Sequence, residues 1–232
     1  RGRRSWGNKM SAYPTVDEVL AIIDENIKKL LGIIDETDYE VKKGCLIIRK
    51  EFVHKPISFN KHFPLKNNLP QGGRVRLNFS TLSAGKKQVG KNIDPSGWPS
   101  PHYSLKGEYL CNRGHILAHE LACKASYINT SRSKYTNIFT QSLWANRSNH
   151  ENARFGYNQS FFENCLKNYL IANPLLNIDY YVKLIYCEND IIPRGVLIRG
   201  HFLEKKKQLN VFVPNIDSRY IINYETANFT EK

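Results

Sequence analysis

Three apolar runs close the chain: DYYVKLIYCE (179–188), GVLIRGHFLE (195–204) and LNVFVPNI (209–216). Rich in Val, Ile, Tyr and Phe, with Asn, Pro and Gly between them, they read as consecutive strands. Directly before them, NQSFFENCLKNYLIA (158–172) puts Phe161, Phe162, Cys165, Leu166, Tyr169 and Leu170 on one broad face, the pattern of a helix. Further strands are predicted in GCLIIRKEFV (44–53) and RVRLNFSTLS (74–83). Residues 16–35, VDEVLAIIDENIKKLLGIID, carry the helical period behind an acidic start and predict one packing helix. The fold class that follows is α+β.

Between these elements lie two long stretches of loop character, 54–73 and 84–107, the second carrying four lysines. A loop of that length is functional or disordered more often than incidental. The chain's 232 residues, 41% of them apolar, are enough for one sizeable core. No run approaches the ~18 apolar residues of a membrane span. The net charge of +13 fits a polyanionic partner such as nucleic acid, and equally a role in solubility alone. Five cysteines form no CxxC pair, and their odd number leaves at least one free thiol within a single chain; Cys111 and Cys123 are close enough in sequence to pair.

Chemistry concentrates in EYLCNRGHILAHELACK (108–124), where His115 and His119 stand four apart. One reading is a zinc hydrolase with both histidines on one helical face. A zinc site needs further ligands, however, and the residue after His115 is Ile116 rather than the glutamate of an HExxH motif. His102 and His150 are the candidates for a third ligand. The other reading is phosphodiester cleavage. His115 titrates near neutrality and suits a general base. Arg113, two residues earlier, shares its face if the segment is a strand. Gly114 between them would allow a phosphate backbone close approach. The amide-rich stretch that follows, TNIFTQSLWANRSNHENARFGYNQSFFEN (136–164), would supply oxygen for magnesium, which needs only one or two protein ligands.

The CNRGHILAHEL block followed by NIFTQSLWAN and FFEN resembles the DNA/RNA non-specific endonucleases of the ββα-metal fold, in particular the streptococcal-type secreted DNases. The likeness extends to GRVRLNFSTLS, IDPSGW, IIPRGVLIRG and LNVFVPNI, in the same order, over roughly residues 45–227. It implies a central antiparallel sheet with flanking helices and a ββα-metal finger. Residues 1–40 are then an N-terminal helical segment packed on the core, and 41–232 a single nuclease domain.

The resemblance also implies roles. His115 is the general base, Arg113 contacts the phosphate, and Asn137 orients groups at the catalytic centre. Asn146, 31 residues after His115, holds magnesium, with Asn149 as its rival; manganese would substitute for magnesium. Glu163 holds a water of the metal. Gln141, with Arg74 or Arg76, binds substrate. His119 drops out as structural. The implied activity is a secreted, monomeric, largely sequence-non-specific endonuclease on DNA, with RNA also open as a substrate, leaving 5′-phosphate and 3′-hydroxyl ends. A protein of the same fold that binds nucleic acid without cutting it is the alternative.

Overall fold

The computed structural model of the chain describes residues 13–85, 90–99, 104–105, 108–146 and 153–232. Two short helices open it, α1 (Val16–Ile22) and α2 (Glu25–Leu31). The single helix predicted over 16–35 is broken because Asp24 acts as an N-cap, its carboxylate accepting the Ile27 N–H at 2.8 Å. Gly32, at φ +75°, closes α2 in the left-handed region.

A seven-stranded sheet follows, with every pairing antiparallel. Its strands are β1 (Tyr39–Lys42), β2 (Cys45–Ile48), β3 (Lys61–His62), β4 (Gly72–Leu77), β9 (Ile178–Ile185), β10 (Gly195–Phe202) and β11 (Lys207–Pro214), in the order β1-β2-β11-β10-β9-β4-β3. Between β4 and β9 in sequence lie a short hairpin, β5 (Ser104–Leu105) with β6 (Glu108–Tyr109), and a longer one, β7 (Cys111–His115) with β8 (Ile138–Ser142). Helix α3 (His119–Ala122) follows β7, and α4 (Leu143–Asn146) and α5 (Gln159–Ala172) follow β8. A last pair, β12 (Tyr220–Ile222) and β13 (Phe229–Glu231), ends the chain.

The predicted strand over 74–83 stops at Leu77. Asn78 turns the chain there, its side chain accepting the Ser80 N–H at 3.0 Å to cap a 3-10 turn at Phe79–Thr81. Cys111 and Cys123 do not pair. All five cysteines are free thiols, and burial pushes that of Cys111 up to about 12.

Strand alternation splits the core in two. Ile178, Tyr180 and Val182 of β9, with Val75 and Leu77 of β4, face Leu117 and Phe139 of the β7–β8 unit and Phe162, Leu166 and Leu170 of α5. On the other face, Leu46, Ile48, Leu197 and Phe212 pack against Val19, Ile22, Ile27 and Leu31 of the first two helices. The sheet is thus the middle of three layers, and the β7–β8 hairpin with α5 forms the layer on one side.

Asp179 on β9 points away from that hairpin and is wholly buried. It accepts Arg76 Nε at 2.8 Å and Nη2 at 3.2 Å, the Ile57 N–H at 3.1 Å, and lies 2.8 Å from His54 Nε2. Burial alone would raise its carboxyl, but the bonds from Arg76, His54 and Ile57 together hold it below the usual carboxylate range. Asp179→Ala strands the Arg76 guanidinium, leaves His54 and the Ile57 N–H without their acceptor, and should cost on the order of 3 kcal/mol in urea unfolding. Because the folded value is the lower one, this contribution is complete above the unfolded aspartate value of about 3.9 and disappears as pH falls through the folded value. Asp179→Asn should flatten that acid limb of the stability curve, and an unchanged limb would place the acid sensitivity elsewhere.

Candidate active site

In β7, paired in register with β8, His115 stands opposite Ile138, Arg113 opposite Thr140 and Asn112 opposite Gln141. Two-residue alternation puts Arg113 and His115 on one face of the hairpin, both partly exposed. Gly114 is buried between them. A Cβ there would lie 2.2 Å from Gln141 Oε1 and 2.9 Å from Gln141 Cβ. The glycine therefore makes room for the Gln141 side chain crossing the strand, not for a phosphate.

Gln141 is itself fully buried and donates through Nε2 to Gln159 Oε1 at 2.8 Å. Gln159, the first residue of α5, donates in turn to the His115 carbonyl at 2.7 Å and to Glu163 Oε1 at 2.8 Å. One carboxamide thus ties the end of β7, the middle of β8 and the first turn of α5 together. Asn158 before it is buried too: it caps α5 by accepting the Phe161 N–H at 3.0 Å, and its Nδ2 donates to the Trp144 carbonyl at 2.9 Å. The Ser160 hydroxyl donates to the Asn146 carbonyl at the end of α4. Asn137, with no exposed surface, accepts the Leu117 N–H at 2.8 Å and donates to the Leu117 carbonyl at 3.0 Å, fixing the turn that follows His115.

His115 is partly exposed as a residue, with its ring largely enclosed by protein. Burial first, then the charges of His119 and Arg132, pull its imidazole down to about 4 against a hydrogen bond with the Thr130 backbone. It is neutral at physiological pH and able to accept a proton. Arg113 donates to the Ile93 carbonyl at 2.9 Å and to Asp94 Oδ1 at 2.5 Å, and its guanidinium lies 4.1 Å from the Trp98 ring centre. Thr140, opposite it, donates to the Ser96 carbonyl at 2.8 Å. The 93–98 loop is therefore stitched to the hairpin at the arginine.

No protein-family model matches the sequence. The chain superimposes on NucA from Streptococcus agalactiae, both with magnesium bound (TM-score 0.75, 17% identity, 91% of this chain and 100% of that one) and with no metal (0.73, 19%, 89% and 94%). It also matches the Sda1 nuclease with bound zinc ion (0.61, 16%, 76% and 83%) and an extracellular nuclease (0.54, 16%, 77% and 97%). The fold is that of these nucleases.

On this nuclease fold the residues predicted from sequence separate into three groups. His115, Arg113, Asn146 and Glu163 gather around the hairpin and the start of α5. Asn137 and Gln141 are too deeply buried to touch a substrate and instead hold the Leu117 backbone and Gln159. Arg74 and Arg76 do not join the site. They alternate with Val75 and so project from the opposite face of the sheet, Arg76 onto Asp179 and Arg74 onto the Phe59 carbonyl at 3.3 Å.

The shared helical face of the zinc reading is also absent. His115 ends a strand, while His119 begins α3, with its Nδ1 2.9 Å from Thr130 Oγ1. Among the described residues no three His, Cys, Asp or Glu side chains converge as metal ligands. Asn149, His102 and His150 lie outside the described residues. What the site could offer a cation is the partly exposed Asn146 and the Glu163 carboxyl, which burial pushes up to about 8 against its bond from Gln159. That donor set suits a hard ion that keeps most of its water.

Sequence reasoning missed Gln159. Its signal was its place at the first turn of a capped helix, four residues before Glu163. Gly114→Ala should displace Gln141 and cost about 1–3 kcal/mol of stability in urea unfolding. In metal-free protein, an NMR titration of the His115 ring should give a midpoint near 4; a midpoint at the ordinary ~6.5 would mean the ring is solvated.

Proposed function

We propose that this chain is a metal-dependent endonuclease that hydrolyses phosphodiester bonds of DNA with little sequence preference. The observation that carries the reading is the pairing of a neutral, enclosed His115 with Arg113 on one strand face, joined to Asn146 through the adjacent residues Gln159 and Ser160. A divalent cation, when bound, would neutralise charge on the phosphate and on the departing oxygen. The Asn146 carboxamide oxygen would hold it, with magnesium the ion and manganese a substitute.

His115 would take a proton from the attacking water on a ring nitrogen, while the bond to the Thr130 backbone holds the ring. Arg113, released from Asp94, would meet the charge that builds on the phosphate oxygens. Water attack at phosphorus with departure of O3′ leaves a 5′-phosphate and a 3′-hydroxyl. Glu163 would accept a hydrogen bond from a water of the cation's shell. With a net charge of +13, the grip on DNA should weaken steeply with salt. Backbone contacts of this kind leave RNA open as a second substrate.

The proposal extends to a secreted monomer. The extracellular nucleases of the same fold support export, and no described helix is long and apolar enough to cross a membrane. Plasmid DNA with magnesium should be degraded by the native chain, and His115→Ala should lose about 10²–10⁴-fold in rate. Asn146→Ala should lose activity in a way that raised magnesium partly restores. If the native chain retains DNA in a gel shift yet cuts none of it, the protein is a binder on a nuclease fold instead.

A further inference from the structure

Helices α1 and α2 pack over β1, β2, β11 and β10 and reach Ile185 at the end of β9. The rest of that face, from Arg199 on β10 across β9, β4 and β3, carries a band of cations interleaved with aromatic rings. Arg199 lies at the floor of a hollow of about 210 Å³, half-buried, its guanidinium 5.1 Å from the Phe52 ring centre. It donates to Asn210 Oδ1 at 3.1 Å and to the Leu31 carbonyl of α2 at 3.5 Å, and no described carboxylate reaches it. Phe63 and Tyr181 line the same hollow, with Lys55 and Lys183 exposed at its edge.

The band continues across the strands. Arg74 is the cross-strand neighbour of Tyr181, and Lys61 that of Arg74. Phe59, 52% exposed, lies 4.8 Å from the Arg74 guanidinium and 5.6 Å from the Lys61 ammonium. The buried acid of this region, Asp179, is already paired with Arg76 and hydrogen-bonded to His54. A half-buried guanidinium held only by neutral acceptors keeps its charge unbalanced by any described acid, and an external anion would balance it. Aromatic rings set between cations call for flat groups on a charged backbone, which is the chemistry of an unpaired nucleic-acid strand.

We propose that this face is a second nucleic-acid contact, which holds an extended single strand by stacking its bases on Phe59 and the rings of the hollow and pairing its phosphates with the surrounding lysines and arginines. The identity of the polyanion rests on the nuclease reading above. The contact itself lies across the sheet from His115, so it grips DNA without presenting it to the base. It would hold the displaced or frayed strand of a long substrate while the hairpin face works on another segment.

The test uses the full chain carrying His115→Ala, with chelator present and no metal, and a fluorescein-labelled oligothymidylate read by anisotropy. The double variant Lys55→Glu, Lys183→Glu should bind at least tenfold more weakly and lower the salt slope by about 1.4, two single-strand phosphate contacts' worth. An abasic strand of equal length should bind about tenfold more weakly than the thymidylate. Phe59→Ala, which alters no charge, should weaken binding several-fold if the lysine variant fails to fold. Photo-cross-linking of a 5-iodouracil strand should label Phe52, Phe59 or Tyr181.

Unchanged affinity in the folded lysine variant overturns the proposal. So does equal binding of the abasic strand, or cross-links confined to the hairpin around Trp98 and Arg113. Loss of binding at this face while the native chain still cuts plasmid would leave the catalytic reading standing. Binding here without any plasmid cleavage would reject the catalytic reading alone.

Discussion

The Gln159 carboxamide accepts from Gln141 and donates to both the His115 carbonyl and Glu163, so segments far apart in sequence share one planar group. Amide geometry leaves little freedom in such an arrangement, because each partner must lie near the plane and in line with its N–H or lone pair. Burial adds a penalty for every bond lost, of about 1–3 kcal/mol per stranded group. The position of α5 against the hairpin is therefore set by polar contacts as well as by Phe162, Leu166 and Leu170. Apolar packing alone tolerates sliding; this contact does not.

Placing the functional groups on a hairpin outside the main sheet has a further effect. The seven strands take their stability from two cores, one on each face, and neither includes Arg113 or His115. The site can therefore carry an enclosed carboxyl and an imidazole held far from its ordinary titration without endangering the sheet. The residues that support it, Asn137, Gln141, Asn158 and Gln159, are all buried amides. They offer donors and acceptors in fixed places while adding no charge of their own.

Much of this was legible in the sequence where a local cause acted. The last three strands and α5 followed from periodicity, and α5 begins where Asn158 caps it. The face shared by Arg113 and His115 followed from strand alternation. The same rule, applied to Arg74, Val75, Arg76 and Leu77, already separates the two arginines from the core side, and their removal from the site is its consequence. The break at Asp24 was less visible because the apolar period runs through it. Gly114 and Gln159 were out of reach for another reason: their roles lie in contacts between strands and a helix that only tertiary packing brings together. An amide among many amides carries no mark of which one is buried.

The bond between Arg113 and Asp94 gives the resting site an occupant of its own. A carboxylate already meets one edge of the guanidinium and the Ile93 carbonyl another, so a phosphate binding there as proposed would exchange one anion for another rather than fill an empty charge. The gain from that exchange is small for a lone monovalent ion. It grows when the newcomer is one link of a polymer whose neighbouring phosphates find other lysines and arginines at the same moment. With Arg113 in the proposed role, the carboxylate of one loop would make a single arginine more responsive to a continuous strand than to scattered small anions.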